Sequence, residues 1–219
     1  MQNRTKKILN IILNIILIFV IICTLYSIFF SCFFFATTVE GNSMQPTYNN
    51  SSEKDRILVS KLKSYSYGDI VIIQSSQIDA ETGSNKYIVK RVIAIGNDYI
   101  DMKFENKKLL IYVNGSVVDE STYLGNVEYE IEPTTYFNFV ALKEHYEGAV
   151  TSQGLLIPEQ MIFVLGDNRE DSADSSLYGP FSSSNVVGTV LTKIGKNSFA
   201  PISLLGYWLG KENVWKKLF

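Results

Sequence analysis

The chain predicts a mainly β protein carried on one N-terminal transmembrane helix. Three observations carry that expectation: an uncharged apolar run at residues 8–35, several short β-type runs after it, and 13 Phe and 13 Tyr alongside many Val and Ile. The 219 residues suffice for a membrane anchor and one sizeable domain. Net charge is −2 with acids and bases interspersed, so no basic face points to nucleic acid, which is excluded as a partner. Cys23 and Cys32 both fall inside the apolar run, leaving the remainder without a disulfide framework or a thiolate metal site. His145 is the single histidine and reads as a surface residue, so neither a metal nor a cofactor is expected.

Residues 1–7 hold Arg4, Lys6 and Lys7 and no acid, which assigns them to the cytoplasm. Residues 8–35 follow as the transmembrane helix, interrupted only by Asn10, Asn14, Thr24, Ser27 and Ser31. At about 1.5 Å per residue this run spans roughly 42 Å, enough to cross a hydrocarbon core of about 30 Å with some tilt. A cleavable leader is the alternative, but its apolar part covers about 7–15 residues and ends in small side chains. This run ends in Phe33-Phe34-Phe35. The expected placement is therefore single-pass in the cell membrane, with everything from about residue 37 onward outside.

A β core is expected over 36–98 and 159–197. It begins with Gly41-Asn42-Ser43-Met44-Gln45-Pro46-Thr47, where Gly41 and Asn42 suit a sharp turn and Pro46 fixes the chain direction. Ser43 is thereby a held hydroxyl, and within roughly 26 Å of the membrane surface along the chain. Residues 56–59 and 69–73 read as strands and 74–86 as a polar mobile loop. Residues 87–95 form a further strand interrupted by Lys90 and Arg91; strand neighbours point to opposite faces, so one of the two faces inward.

Residues 99–158 are expected as an inserted lobe of hairpins, with Asn114-Gly115 a strong turn signal and 121–157 irregular. Residues 161–165 form a buried-type strand running into the dense polar loop 166–176, and 186–194 a closing strand. The tail 198–219, with Trp208, Trp215, Lys211, Lys216 and Lys217, suits the membrane interface or core packing equally.

A serine hydroxyl needs a base to take its proton, and the lone histidine is remote from every motif. A lysine remains, as in Ser/Lys variants of serine catalysis, provided its amine is neutral. Lowering a lysine by about 3–5 units through burial costs about 4–7 kcal/mol. Lys90, in a strand of Ile, Val and Tyr, meets that demand better than the solvated lysines at 54, 61, 103, 107 and 108.

Gly41-Asn42-Ser43-Met44-Gln45-Pro46-Thr47, Gly68-Asp69-Ile70-Val71, Lys90-Arg91-Val92-Ile93 and Gly166-Asp167-Asn168-Arg169 through Ser172-Ala173-Asp174-Ser175 resemble the ordered boxes of the bacterial type I signal peptidases, in their short Gram-positive form. The resemblance covers the anchor and about residues 37–181, leaving the lobe and tail unmatched. It implies two antiparallel sheets with the catalytic loop at one edge, Ser43 as nucleophile and Lys90 as general base. It also implies that Ser172 hydrogen-bonds the lysine and that Asp167, Arg91 and Asp174 form a supporting polar network. Substrate pockets are implied near Val39, Met44, Ile88 and Val89. An acid beside a buried lysine raises its pKa, so the acids are expected to pair with Arg91 and backbone amides.

The chain departs from the family pattern in three places. Gly41 stands where some relatives carry an oxyanion-binding serine, leaving the Ser43 backbone N–H as the main oxyanion donor. The acidic loop ends Asp174-Ser175-Ser176 rather than Asp-Ser-Arg, and Ala94-Ile95-Gly96-Asn97-Asp98 lacks the usual Gly-Pro-Gly spacing.

The implied function is a membrane-bound serine endopeptidase that removes signal peptides from exported preproteins with small residues at the first and third positions before the cut. The implied partners are those preproteins, the lipid bilayer and the Sec translocation machinery. A relative dedicated to pilin or surface-protein assembly, a non-catalytic chaperone, and a self-cleaving repressor-type Ser/Lys protein are the alternatives. Retention of both Ser43 and Lys90 argues against the inactive form, and a membrane helix stands where a repressor has its DNA-binding domain.

Overall fold

A computed structural model describes residues 2–62, 64–78, 83–195 and 200. The first element, α1 (Gln2–Phe33), has no interior Gly or Pro and is apolar on every side, the pattern of a helix meant for hydrocarbon rather than for a core. Its stretch Arg4–Phe33 is long and apolar enough to cross a membrane. Thr24 and Ser31 turn their hydroxyls back to Val20 O (2.8 Å) and Ser27 O (2.7 Å), so neither is left unpaired.

The helix stops two residues before the expected end at 35. Phe34 instead opens β1 (Phe34–Thr38), which pairs antiparallel with β2 (Arg56–Ser60). Phe34 is buried with Phe30, Leu58 and Ile194, and that packing together with the ladder outweighs one more helical turn. Lys61 closes the helix end, donating from its backbone N–H to Phe33 O and from Nζ to Ser31 O.

The remaining strands are β3 (Ile70–Ile78), β4 (Asn85–Ile95), β5 (Tyr99–Glu105), β6 (Lys108–Val113), β7 (Ser116–Val117), β8 (Val150–Thr151), β9 (Gly154–Leu156), β10 (Met161–Leu165), β11 (Phe181–Ser182) and β12 (Val186–Ile194). They form two antiparallel sheets, seven strands in the order β1-β2-β12-β3-β4-β10-β11 and five in the order β7-β6-β5-β9-β8. The fold is thus mainly β with two sheets and one apolar helix, as expected.

Two expectations are corrected. Among the described residues of the polar stretch 74–86 most are strand, since β3 runs on to Ile78 and β4 starts at Asn85, with Gln74 opposite Tyr87 and Ile78 opposite Asn85; ladder bonds override its polar composition. Strand β12, expected over 186–194, has those bounds and lies between β2 and β3, with Gly188 meeting Ser60 O so closely that a Cβ there would come within 2.4 Å. The stretch 121–157 is not irregular: it holds α2 (Ser121–Leu124) and α3 (Thr134–His145).

Helix α3 is Thr-, Tyr-, Phe- and Val-rich and has poor helix propensity. It forms because Phe139 and Leu142 enter a core with Ile100, Met102 and Ile111 of the second sheet and Ile93, Ala94, Phe163 and Leu165 of the first. Phe139 meets Phe163 edge-on, with centroids 6.0 Å apart. Turns with left-handed pairs, Asn106 and Lys107 then Asn114 and Gly115, make the β5-β6 and β6-β7 hairpins. The expectations for 198–219 lie outside the described residues.

Candidate active site

The turn that carries Ser43 is fastened from below and from both sides. Val39 and Met44 pack into a core with Tyr48, Ile57, Val59 and Ile72, while Gln45 N–H donates to Asn42 O and Tyr48 N–H to Met44 O. Gly41 has φ +75°, a conformation that favours glycine. Asn49, itself left-handed and buried, donates from Nδ2 to Val39 O (3.0 Å) and Gly41 O (2.8 Å). Asn49 and Asp55 also exchange side-chain and backbone bonds, which closes the loop at its base.

Strand β4 brings Lys90 to this turn. Its Nζ lies 2.6 Å from Ser43 Oγ, and the residue is only 2% exposed. Burial pushes the amine down to about 8, with Lys86 helping and the carboxylates of Asp174, Asp167 and Asp171 opposing.

Arg91 faces the other side of the strand yet is also buried, at 6% exposed. The expectation that only one of the two cations faces inward is corrected, because the protein covers both faces of β4 at this point. The Arg91 guanidinium donates from Nε to Asp167 Oδ1 (2.8 Å), from Nη2 to Asp167 Oδ2 (2.6 Å) and from Nη1 to Gly68 O (2.7 Å). The Tyr123 ring covers its plane at 3.7 Å. Thr47 Oγ1 adds a third bond to Asp167, at 2.5 Å.

Asp174 stands apart from this ion pair. It accepts from Gly166 N–H (2.9 Å), Ser176 N–H (3.0 Å) and Ser176 Oγ (2.8 Å), capping the short helix α4 (Ser175–Tyr178). The single network expected of Asp167, Arg91 and Asp174 is therefore two, and the Ser176 hydroxyl bonds Asp174 where the family pattern has an arginine. The expected bond from Ser172 to Lys90 is also absent. Among the described residues Ser172 Oγ is buried without a partner, and it lies directly over Gly166.

Residues 12–194 match the family described as signal peptidase, peptidase S26. The chain belongs to that family. The signal peptidase I of Streptococcus pneumoniae (strain ATCC BAA-255 / R6) is 31% identical over 191 residues, 77% of this chain and 83% of that protein. Signal peptidase IB of Staphylococcus aureus (strain MRSA252) is 30% identical over 180 residues, 80% of this chain and 83% of that one. Thylakoidal processing peptidase 1, chloroplastic, of Arabidopsis thaliana is 28% identical over 160 residues; the match covers 69% of this chain but only 39% of that plant protein.

In this S26 chain a cleft of about 540 Å³ opens beside the Ser43–Lys90 pair. Phe35, Thr37, Ile72, Ile88, Val89 and Val187 line it, with Lys86 and Asp171 at the same cleft. Of the expected pocket residues, Ile88 and Val89 are in the wall. Val39 and Met44 are not: they are buried at 2% and 1% exposure in the core beneath, because the turn folds their side chains inward. His145 is exposed at the end of α3, beside Tyr146.

Gly166 makes the stacking of the S26 loops possible. A Cβ there would come 2.4 Å from Ser43 O and 2.2 Å from Ser172 Oγ, and Asn168 N–H donates to Ser43 O at 3.0 Å. Gly166→Ala is expected to displace the nucleophile turn and lower kcat by on the order of 10²-fold with the protein still folded. Steady-state cleavage alongside circular dichroism checks this, and unchanged kcat in a folded variant would mean the two loops yield without moving Ser43.

Thr47 and Arg169 lie within the quoted motifs but had no assigned role, while Asn49, Asp55, Glu120 and Tyr123 carried no signal. Polar loop residues read as solvated turns until their partners, distant in sequence, are known.

Proposed function

We propose that this chain is a membrane-anchored serine endopeptidase that removes N-terminal signal peptides from exported preproteins, with Ser43 as nucleophile and Lys90 as general base. The observation that carries the proposal is the buried Lys90 Nζ lying 2.6 Å from Ser43 Oγ. Neutral Lys90 takes the hydroxyl proton as Oγ attacks the scissile carbonyl carbon. The resulting oxyanion is received by the Ser43 N–H. The Lys90 ammonium then returns the proton to the departing amine, leaving an acyl-Ser43 ester, and water activated by the same amine hydrolyses it.

A substrate held as a strand turns every second side chain the same way, so the first and third residues before the cut share one face toward the cleft. Phe35, Ile72 and Val187 bound that cleft, which supports a preference for small side chains there. Arg4, Lys6 and Lys7 in the first turns of α1 support a cytoplasmic N-terminus, a single-pass anchor and a catalytic domain outside, where a preprotein emerging from the Sec machinery would pass.

The reaction requires the neutral amine, so kcat/KM is expected to be flat above about pH 8 and to fall tenfold per pH unit below it. A profile with a signal-sequence peptide, taken with the full chain in lipid, tests this. An acid limb near ordinary lysine, or cleavage unaffected by Lys90→Ala or Ser43→Ala, would overturn the proposal.

A further inference from the structure

The lobe reaches back to the catalytic loop through α2. Glu120 Oε1 accepts from Tyr123 Oη and from Arg169 Nη2, each at 2.5 Å. Arg169 is the largest fully buried side chain among the described residues, and its Nε donates to Gly166 O at 2.9 Å. The backbone of Gly166 is thus held on both sides: its carbonyl by Arg169 and its N–H by Asp174. Gly166 is also the residue on which Ser43 O rests. The next residue, Asp167, holds Arg91, whose open face the Tyr123 ring covers. Two side chains of one lobe turn therefore bear on both arms of the loop under the nucleophile.

We infer that Glu120 and Tyr123 are positioning residues for the Ser43–Lys90 pair. Glu120 aims Arg169 at the Gly166 carbonyl, and Tyr123 covers the guanidinium face of the Arg91–Asp167 pair. Neither touches the reacting atoms. The inference rests on the Ser/Lys proposal and adds to it a role for the inserted lobe.

The local charges are consistent with this arrangement. Glu120 faces Arg169, Tyr123 and Tyr129, and burial together with Glu120 keeps the Tyr123 phenol protonated well above its ordinary range. Among the described residues Arg169 Nη1 has no hydrogen-bonding partner. Among the described residues, the hydrogen bonds that orient its guanidinium are those to Gly166 O and to Glu120. Removing the carboxylate leaves a buried cation free to turn away from that carbonyl.

The test is steady-state cleavage of a signal-sequence peptide by the full chain in lipid, for Glu120→Ala, Glu120→Gln, Tyr123→Ala and Tyr123→Phe, below the unfolding temperature of each variant. Glu120→Ala and Tyr123→Ala are expected to lower kcat on the order of 10- to 100-fold with KM within about twofold of the parent. Tyr123→Phe keeps the ring over Arg91 and is expected to retain at least about a third of parental kcat. Glu120→Gln keeps an acceptor and is expected to fall between. Should an alanine variant fail to fold, Glu120→Gln decides, because Tyr123→Phe keeps the ring over Arg91: parental kcat in Glu120→Gln overturns the inference, and a loss confined to kcat supports it. So does parental kcat per folded molecule in both alanine variants overturn it. Ser43→Ala and Lys90→Ala run alongside; cleavage by either would defeat the Ser/Lys proposal itself rather than the role of the lobe.

Discussion

Lys90→Met is expected to lose on the order of 10⁴-fold or more in kcat while making the protein more stable by about 1 to 3 kcal/mol at neutral pH. The loss follows because, among the described residues, Lys90 Nζ is the side-chain group hydrogen-bonded to Ser43 Oγ. The gain follows from linkage. An unfolded lysine titrates near 10.5 and the folded Lys90 near 8, so between those values the unfolded chain binds more protons and stability rises with pH. Below about pH 8 the full penalty is present, and above about 10.5 it is gone. Met is unbranched and similar in length, so it removes the charge without leaving a large void.

Urea unfolding of parent and variant at pH 7 and pH 10.5, in the same lipid, measures both ends of that window. The difference in stability should be largest at pH 7 and shrink by pH 10.5. A variant less stable than the parent at pH 7 would mean that the amine is not held against an unfavourable burial. Ser43→Ala lacks this signature, because its hydroxyl carries no charge to desolvate; it should lose activity with little pH-dependent change in stability. Activity and stability thus move in opposite directions at one residue, as expected where a functional group is held in an environment that disfavours its ordinary form.

The fold was largely legible because its signals are local. The apolar run of α1, the alternating or continuous β-type runs of β2, β10 and β12, and the Asn114-Gly115 turn each name their own structure. What was not legible depends on contacts between distant residues. Helix α3 has no stripe of its own, with Phe137 and Val140 exposed, and exists because Phe139 finds Phe163. The closeness of Lys90 to Ser43 was within reach of the sequence, because a serine nucleophile without a histidine needs a neutral amine and Lys90 is flanked by Ile88, Val89, Val92 and Ile93. The bonds of Asp174 could not, since a capping carboxylate and an ion-paired one look alike in sequence. Glu120 and Tyr123 lay in a lobe that no motif covers, and only their contacts with Arg169 and Arg91 reveal them.

Asp167→Ala is expected to cost about 3 to 5 kcal/mol of stability, the range for breaking a buried ion pair from one side. The pair is side-on and bidentate, with side-chain exposures of 8% for Arg91 and 0% for Asp167. Loss of the carboxylate leaves Arg91 with Gly68 O, Thr47 Oγ1 and the Tyr123 ring, none of which carries a countercharge. Removing both charges together, as Arg91→Met with Asp167→Leu, should recover part of that loss, because no uncompensated ion remains. Urea unfolding of the two singles and the double gives the coupling directly; a double variant as unstable as the sum of the singles would mean that the two side chains do not act as a pair. The acid limb of cleavage supplies a second, independent sign. Asp167 holds the Lys90 amine up, so its removal, with Arg91 left unneutralised nearby, should move that limb below about pH 8. A less stable protein with a more easily deprotonated Lys90 is therefore the expected phenotype of this single change.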